Sequence, residues 1–408
     1  MTDENRIAGL DIGTTKIAAI ISEAGETGKP KIVGIGTRPS EGLKRGLVIN
    51  LERTVESVAS AVEDAEMMAG VKVDSVYAGI AGDHIRSINS RGVIAVSRSD
   101  HEITPTDVDK VIEAAKTVAL PMDREIIHVL PQEFTVDEQP GIKAPIGMVG
   151  VRLETEVHIV TGAVTAAQNI YRGVKKAGLE VEDLVLQPLA SSYALLSPDE
   201  EELGVALIDL GGGTTDFAVF FDGSIRHTGV VGLGGKNVTN DIAIGLRTPV
   251  DQAEEIKKTY GSALSSLVDS DEMIRVPAVG GGEHKEISRN VLASIIEPRM
   301  EEILSLTLQE LKKSNHFDLL ATGIVLTGGG SLMEGVVELA ERIFDVPVRT
   351  GKPTGISGLE QMVSNPIYST GVGLILYGWE QFREGKSGGR LKAKGLFRKM
   401  KNMLTQYL

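Results

Sequence analysis

The chain has 408 residues, 42% apolar and 24% charged, with a formal net charge of −14 and no cysteine. This length predicts two or three domains with a large core, and the missing cysteines exclude disulfides and thiolate metal sites, in keeping with a reducing cytoplasm. The acidic balance argues against nucleic acid as a partner, no segment approaches the roughly 20 apolar residues that span a bilayer, and the start MTDENRIAGLDIG has no signal-peptide core.

In chain order, AGLDIGTTKIAAIIS from Ala8 reads as a buried strand ending in Asp11, a Gly/Thr turn and a second apolar strand. KIVGIGTR and GLVINL are further strand-like runs. Leu51, Val55, Val58, Ala59, Val62 and Ala65 share one face of a helix over about Leu51–Ala69, which Gly70 stops. SVYAGIAG is again a buried strand. From about His84 to Val160 the alternation breaks. Strand-like IRSINSRGVIAVS, a helix capped by Thr104 with Pro105 at its first position, and strand-like EIIHVLPQEFTVD and EVHIVTG read as a compact inserted module. A helix over Thr165–Lys176 returns to the main body.

The second half opens with ALIDLGGGTTDFAVFFDGS from Ala206, which repeats the first hairpin with Asp209 in the place of Asp11. A duplicated α/β architecture follows from this. A helical region over about Asn237–Tyr260, a polar stretch and a long helix over about Ile287–Lys313 come next. ATGIVLTGGGSLMEGVVELAERIF then reads as a buried strand, a turn at Gly328, Gly329 and Gly330 followed by Ser331, and an amphipathic helix. EGKSGGRLKAKG, Glu384–Gly395, reads as a flexible basic linker. Beyond it, Leu396, Phe397, Met400, Met403, Leu404, Tyr407 and Leu408 fall on one helical face, with Arg398, Lys399 and Lys401 among them. Seven bases and no acid stand from Gly385 onward, so the rest of the chain carries −21 against the overall −14.

The two hairpins suit a polyphosphate. Glycine turns let backbone N–H groups converge on an anion. Gly13, Gly211, Gly212 and Gly213 provide the bare backbone, Thr14, Thr15, Thr214 and Thr215 hydroxyl donors, and Lys16 a positive charge. Asp11 and Asp209 are candidates to hold Mg²⁺, directly or through its waters. A single such hairpin is equally an ordinary tight turn; the pair, joined by a GGG loop suited to a flat base, is more specific. The chain has neither a GxGxxG nor a GxxxxGK[ST] motif. The histidines are scattered and form no close metal-ligand pair in the sequence.

LDIGTTK, IDLGGGTTD and GIVLTGGG, in this order, resemble the two phosphate motifs and the adenosine motif of the actin, Hsp70 and sugar-kinase superfamily. LQPLASSYALL around Gln187 and STGVGLILYG around Gly371 resemble its connecting motifs. The module inserted at an unusual place and the basic amphipathic terminus narrow the resemblance to the FtsA family of bacterial cell-division proteins.

The resemblance implies an α/β, duplicated, two-lobed actin-like fold. Its first-lobe core would be 1–83, 161–195 and 358–383, with the inserted module at 84–160. The second-lobe core would be 196–230 and 306–357, with an outer subdomain at 231–305. A linker at 384–395 would lead to an amphipathic helix at 396–408. It implies ATP with Mg²⁺, a water-orienting role for Gln187, ribose and adenine contacts for Glu254 and Lys257, and a nucleotide-facing turn at Gly234 and Gly235. The Glu254/Lys257 pair is otherwise a solvated i, i+3 helix ion pair. It further implies self-assembly into a homopolymer, capture of the acidic tail of the tubulin-like FtsZ, recruitment of later division proteins, and residence on the cytoplasmic face of the cell membrane at the division site. Arg289 and Arg299 are candidate contacts for the FtsZ tail, or else solvated helix charges.

The terminal helix would be about 20 Å long, too short to cross a bilayer but able to lie in the interface, apolar face down and bases on anionic headgroups. Docking on a protein groove is the alternative for it. An actin-like pilus-assembly adaptor and a sugar kinase are the alternatives for the whole chain.

Overall fold

The computed structural model describes residues 6–26, 28–269, 271–279 and 284–387. The expected helix at 396–408 lies outside them. In the first half, the apolar runs flanking the Gly/Thr turn pair antiparallel as β1 (Arg6–Ile12) and β2 (Lys16–Ala24), and β3 (Pro30–Pro39) extends the meander. A small hairpin of β4 (Leu43–Lys44) and β5 (Leu47–Val48) leads into α1 (Leu51–Ala69). Asn50 caps α1 by accepting from the Arg53 N–H, and Gly70 ends it in the left-handed region at φ 67°. α1 lies so close on β3 that a Cβ at Gly36 would stand 1.9 Å from the Ala61 oxygen. β6 (Ser75–Ile80) then pairs parallel to β1.

The chain next leaves this sheet to build a separate one. β7 (Arg86–Ala95), α2 (Pro105–Ala115), β8 (Arg124–Val136), β9 (Gln139–Ile142) and β10 (Arg152–Ala163) give a four-stranded sheet in the order β7-β10-β8-β9 with one helix on it. Asp107 locks the start of α2 by accepting from the Thr104 N–H at 3.1 Å and its hydroxyl at 2.6 Å. α3 (Val164–Lys176) and β11 (Glu180–Leu186) return to the first sheet, where β11 runs parallel to β6.

α4 (Gln187–Leu195) and α5 (Pro198–Leu203) cross to the second half. It comprises β12 (Val205–Leu210), β13 (Thr215–Phe221), β14 (Ser224–Val231), α6 (Gly235–Leu246), α7 (Val250–Tyr260), β15 (Met273–Val276), β16 (Lys285–Ser288), α8 (Arg289–Lys313), β17 (Ile324–Thr327), α9 (Val336–Phe344) and β18 (Val348–Thr350). Its sheet has the order β14-β13-β12-β17-β18, the same permutation as β3-β2-β1-β6-β11. The duplication inferred from two short motifs is therefore a duplication of whole sheets. β19 (Ser357–Gly358) adds to the β3 edge, and after α10 (Glu360–Val363) the helix α11 (Ser369–Ser387) packs across α4. That crossing is tight: a Cβ at Gly373 would lie 1.8 Å from the Ala190 oxygen. One apolar core lies under each sheet, and a third joins Ile20, Leu207, Val325, Ile375 and Trp379 between them.

Three expectations are corrected. The helical region 237–260 is two helices, because Arg247 turns left-handed at φ 53° and Pro249 cannot continue a hydrogen-bonded turn. Ile287 lies in β16, which pairs with β15, so the long helix starts at Arg289. α11 runs through Ser387, past the expected linker start at 384.

The inserted module reaches beyond the first half and covers the edge strand β14. The Gln132 amide donates to the Ile225 oxygen at 2.8 Å, Ser87 Oγ donates to the Thr228 oxygen at 3.0 Å, and Lys143 pairs with Asp222 at 2.7 Å. His158 on β10 meets Asn89 through Nδ1 at 2.7 Å and the Thr228 hydroxyl through Nε2 at 3.0 Å. The histidines are thus less scattered than the sequence suggests: the His158 and His227 rings lie 6.4 Å apart across this border.

Burial first, and then the neighbouring imidazoles His227 and His316, push His158 down to about 3. A histidine depressed in the fold is protonated first in the unfolded chain, so stability falls as pH drops below about 6.5, by about 2 kcal/mol at pH 5. His158→Gln should therefore lose less stability than the parent between pH 7 and pH 5 in urea unfolding. An equal loss would show that His158 is not held neutral by the fold.

Candidate functional site

The carboxyl ends of β1 and β12 point into one cleft between the halves. The turns that follow them are built alike. Gly13 donates its N–H to the Lys16 oxygen at 2.9 Å, and a Cβ on it would come within 2.8 Å of that oxygen; a Cβ on Gly211 would likewise lie 2.9 Å from the Thr214 oxygen. The two turns touch across the cleft. A Cβ at Gly212 would lie 2.3 Å from Thr15 Cγ2, and one at Gly213 would lie 2.7 Å from Thr14 Oγ1. Glycine is thus required at the tip of the second turn for the first to approach.

Asp11 is held from two sides, by Lys16 Nζ at 2.8 Å and by Gln187 Nε2 at 3.2 Å. Gln187 also donates to the Ile12 oxygen at 3.4 Å, at the first position of α4. Asp209 is directly opposite Asp216 in the β12–β13 register. Side chains paired in this way project from one face of the sheet. Burial first, then Asp216 and Asp11, push Asp209 up to about 7; Lys16 and a hydrogen bond from Thr370 only partly oppose this. Asp216 is raised to about 6 by burial, against hydrogen bonds from the Thr214 hydroxyl and the Gly82 backbone. Asp209, whose charge burial, Asp216 and Asp11 all disfavour, is a donor that a cation would relieve. Among the described residues no group of three or more His, Asp or Glu could hold a metal ion directly. Asp11 and Asp209 are the residues that would hold a divalent ion here, and Mg²⁺, which keeps several of its waters when bound, needs few direct protein ligands.

The third loop closes one end of the site. Gly328 is left-handed at φ 79°, and a Cβ on it would lie 2.1 Å from Asp209 Oδ1. Gly330 packs on Leu210, whereas Gly329 faces open space with only Ile367 Cγ2 at 3.9 Å. Ser331 is buried and donates to the Gly328 oxygen at 2.7 Å, so its hydroxyl shapes the turn. Thr215 likewise spends its hydroxyl on the Leu233 oxygen at 3.0 Å.

Gly234 and Gly235 pack on the second turn, where the Gly235 N–H donates to the Gly211 oxygen at 2.9 Å. Lys257 Nζ bonds the Gly235 oxygen at 3.0 Å, Thr239 Oγ1 at 2.9 Å and Glu254 at 2.7 Å. The Glu254/Lys257 pair is therefore a part-buried brace on this turn and not a solvated helix pair. Burial lowers Lys257 despite Glu254; burial also opposes the Glu254 charge, but the Lys257 charge, the hydrogen bonds from Lys257 and Thr239 and the Lys258 charge together overcome it and lower Glu254. Arg289 and Arg299 lie elsewhere, and neither is a free charge. Arg289 pairs with Glu272 and Glu334, and Arg299 with Asp241 and Glu302. Two cleft residues escaped the sequence reading. Asp216 could have been found by counting the hairpin register from Asp209. Lys236 stands beside a glycine pair already singled out.

The raised carboxylate has a measurable consequence. Asp209 is ionised in the unfolded chain from about pH 4 but resists ionisation in the fold until about 7, so its penalty grows across that window and is full above it. Asp209→Asn should raise the unfolding midpoint of the ligand-free chain, more at pH 8 than at pH 5. A lowered midpoint at both would mean that the carboxylate stabilises the cleft.

Comparison with known proteins accords with this architecture. The family model "Cell division protein FtsA" matches residues 206–373, and "SHS2 domain inserted in FTSA" matches residues 82–161. The cell division protein FtsA of Pseudomonas aeruginosa is 51% identical over 381 residues, 93% of this chain and 91% of the relative. Among solved structures, the PilM-PilN type IV pilus biogenesis complex has a TM-score of 0.65 at 17% identity, covering 91% of this chain and 98% of its own. MreB5 of Spiroplasma citri bound to ADP has 0.59 at 15%, covering 94% and 99%. The structural likenesses carry the actin-like fold, and the sequence likeness carries the lineage: the chain belongs to the FtsA family of cell-division proteins.

Proposed function

We propose that this cell-division protein binds Mg-ATP, polymerises on the cytoplasmic face of the cell membrane and tethers the FtsZ ring there. The observation that carries the nucleotide reading is the convergence of two duplicated glycine turns, three carboxylates and the bare Gly329 in one cleft. The turns present backbone to phosphate, Asp11 and Asp209 hold Mg²⁺ through water, and a base lies on Gly329. Mg²⁺ neutralises charge on the phosphates and on the raised carboxylates together. Gln187, fixed on Asp11, is placed to orient a water for slow hydrolysis. The ADP bound by the MreB of like fold supports a nucleotide in this cleft.

Filament growth needs a heterologous interface that repeats without closing. The inserted module, with its own sheet and helix, is the candidate for one side of it. The acidic FtsZ tail would dock on the outer part of the second lobe. Arg289 and Arg299 do not carry that docking unaided, since a peptide carboxylate would have to compete with two internal acids at each. Membrane attachment rests on the sequence of the tail, where a local basic and apolar stripe offsets an acidic body that anionic lipid repels. Among the described residues no helix is long and apolar enough to cross a membrane.

Calorimetry tests the nucleotide reading. Gly329→Leu should abolish Mg-ATP binding without lowering the unfolding midpoint, because the added side chain fills the space for the base. Unchanged affinity would overturn the site. For the tail, Phe397→Glu should abolish co-sedimentation with anionic vesicles even at low salt, and binding equal to the parent would mean that the stripe packs on protein.

A further inference from the structure

Lys236 hydrogen-bonds both turns at once. Its main-chain N–H donates to the Gly212 oxygen at 2.8 Å, within its own half. Its side chain crosses the cleft, and Nζ donates to the Thr14 oxygen at 3.0 Å in the other half. Its charge partners differ from those of the neighbouring lysines. Lys16 sits on Asp11 at 2.8 Å and Lys257 on Glu254 at 2.7 Å. Among the ion pairs of the described residues Lys236 has no carboxylate within 4.0 Å, and the acceptor it has is a neutral carbonyl. An ammonium has three protons to donate, and an anionic oxygen is a much stronger acceptor than a carbonyl.

The position matters as much as the charge. Gly328 and Gly330 pack on Asp209 and Leu210, at the strand end of the second hairpin. Lys236 packs on Gly212 and Thr14, at the turn tips. A nucleotide whose base lies on Gly329 brings its outermost phosphate to those tips. We propose that Lys236 reads the terminal phosphate: it clasps the two turns through Thr14 and supplies the charge that makes this cleft prefer a nucleoside triphosphate to the diphosphate. The inference rests on the nucleotide reading above and adds to it a specificity-determining residue in the first turn of α6. A triphosphate carries about one more charge than the diphosphate, at the end nearest Lys236.

Calorimetry on the full chain with Mg-ATP and with Mg-ADP tests this in the parent, Lys236→Met and Lys236→Arg. Lys236→Met should weaken Mg-ATP about tenfold or more, as loss of a charge-assisted hydrogen bond does. It should leave Mg-ADP within about twofold. Lys236→Arg should restore most of the preference. Equal weakening of both nucleotides would overturn the proposal and leave Lys236 a clasp alone; no weakening of either would also overturn it. Lys236→Gln keeps a donor for the Thr14 oxygen without the charge, so a selective loss of Mg-ATP there with an unchanged unfolding midpoint supports the proposal even if Lys236→Met folds poorly. A parent that binds neither nucleotide would overturn the site itself, a result separable from a parent that binds both and a variant that discriminates as well as the parent.

Discussion

The two halves meet where two glycine turns touch, and the space between them admits no side chain at Gly212 or Gly213. This contact brings the ends of β1 and β12 close enough for Asp11 to raise Asp209. It also fixes what must surround it. The start of α6 docks on the Gly211 and Gly212 oxygens, so donors at that helix start are spent on holding the turn. Behind the cleft α4 and α11 cross on Gly373, and Thr370 of α11 reaches both Ser191 and Asp209. The acids are thus held by hydrogen bonds from several separate elements: Gln187 of α4 on Asp11, Thr370 of α11 on Asp209 and Thr214 of the second turn on Asp216.

The inserted module belongs to the first half by connection but to both by contact. Its border with β14 is made mostly of side chains bonding backbone: Gln132 on Ile225, Ser87 on Thr228, Ser224 on Gln132. Such a border covers part of the edge of the second sheet, taking up the outward carbonyls of Ile225 and Thr228. It also means that a movement between the halves changes the surroundings of the module. The route is short, since Gly82, just before β7, hydrogen-bonds Asp216 in the cleft.

What could be read in the sequence follows from the range of the forces involved. The hairpins were legible because an apolar run, a turn and a second run lie within fifteen residues or so of one another, and α1 because its apolar face repeats and Gly70 stops it. The duplication was legible at its motifs, while the matching order of the two sheets needed the structure. The module border left no pattern, because hydrogen bonds between Gln132 and Ile225 or His158 and Thr228 impose no period on either segment. The same holds for donors turned inward. Thr215 and Ser331 look available in a motif, and only the fold shows their hydroxyls committed to Leu233 and Gly328. Glu254 and Lys257 had the spacing of a surface pair, and Thr239 and Gly235 on α6 make them a brace.

The duplication is also unequal in charge, and the inequality tells the two turns apart. In the first hairpin the residue opposite Asp11 is Ala18, and Lys16 lies on the Asp11 carboxylate. In the second, the residue opposite Asp209 is Asp216, and Thr214 stands where the first has lysine. One hairpin thus balances its acid internally, while the other sets two acids side by side with no base of its own. Whatever compensates that second pair must come from outside the hairpin. A hydrated divalent ion is one source, and it would lie on the Asp209 side of the cleft. The backbone of Lys236 is anchored on the acidic hairpin while its ammonium reaches the neutral one, so the charge missing from the second turn is delivered at the tip of the first. A ligand carrying both a divalent ion and a terminal phosphate satisfies the two sides at once, and one lacking either leaves a charge in the cleft without a partner.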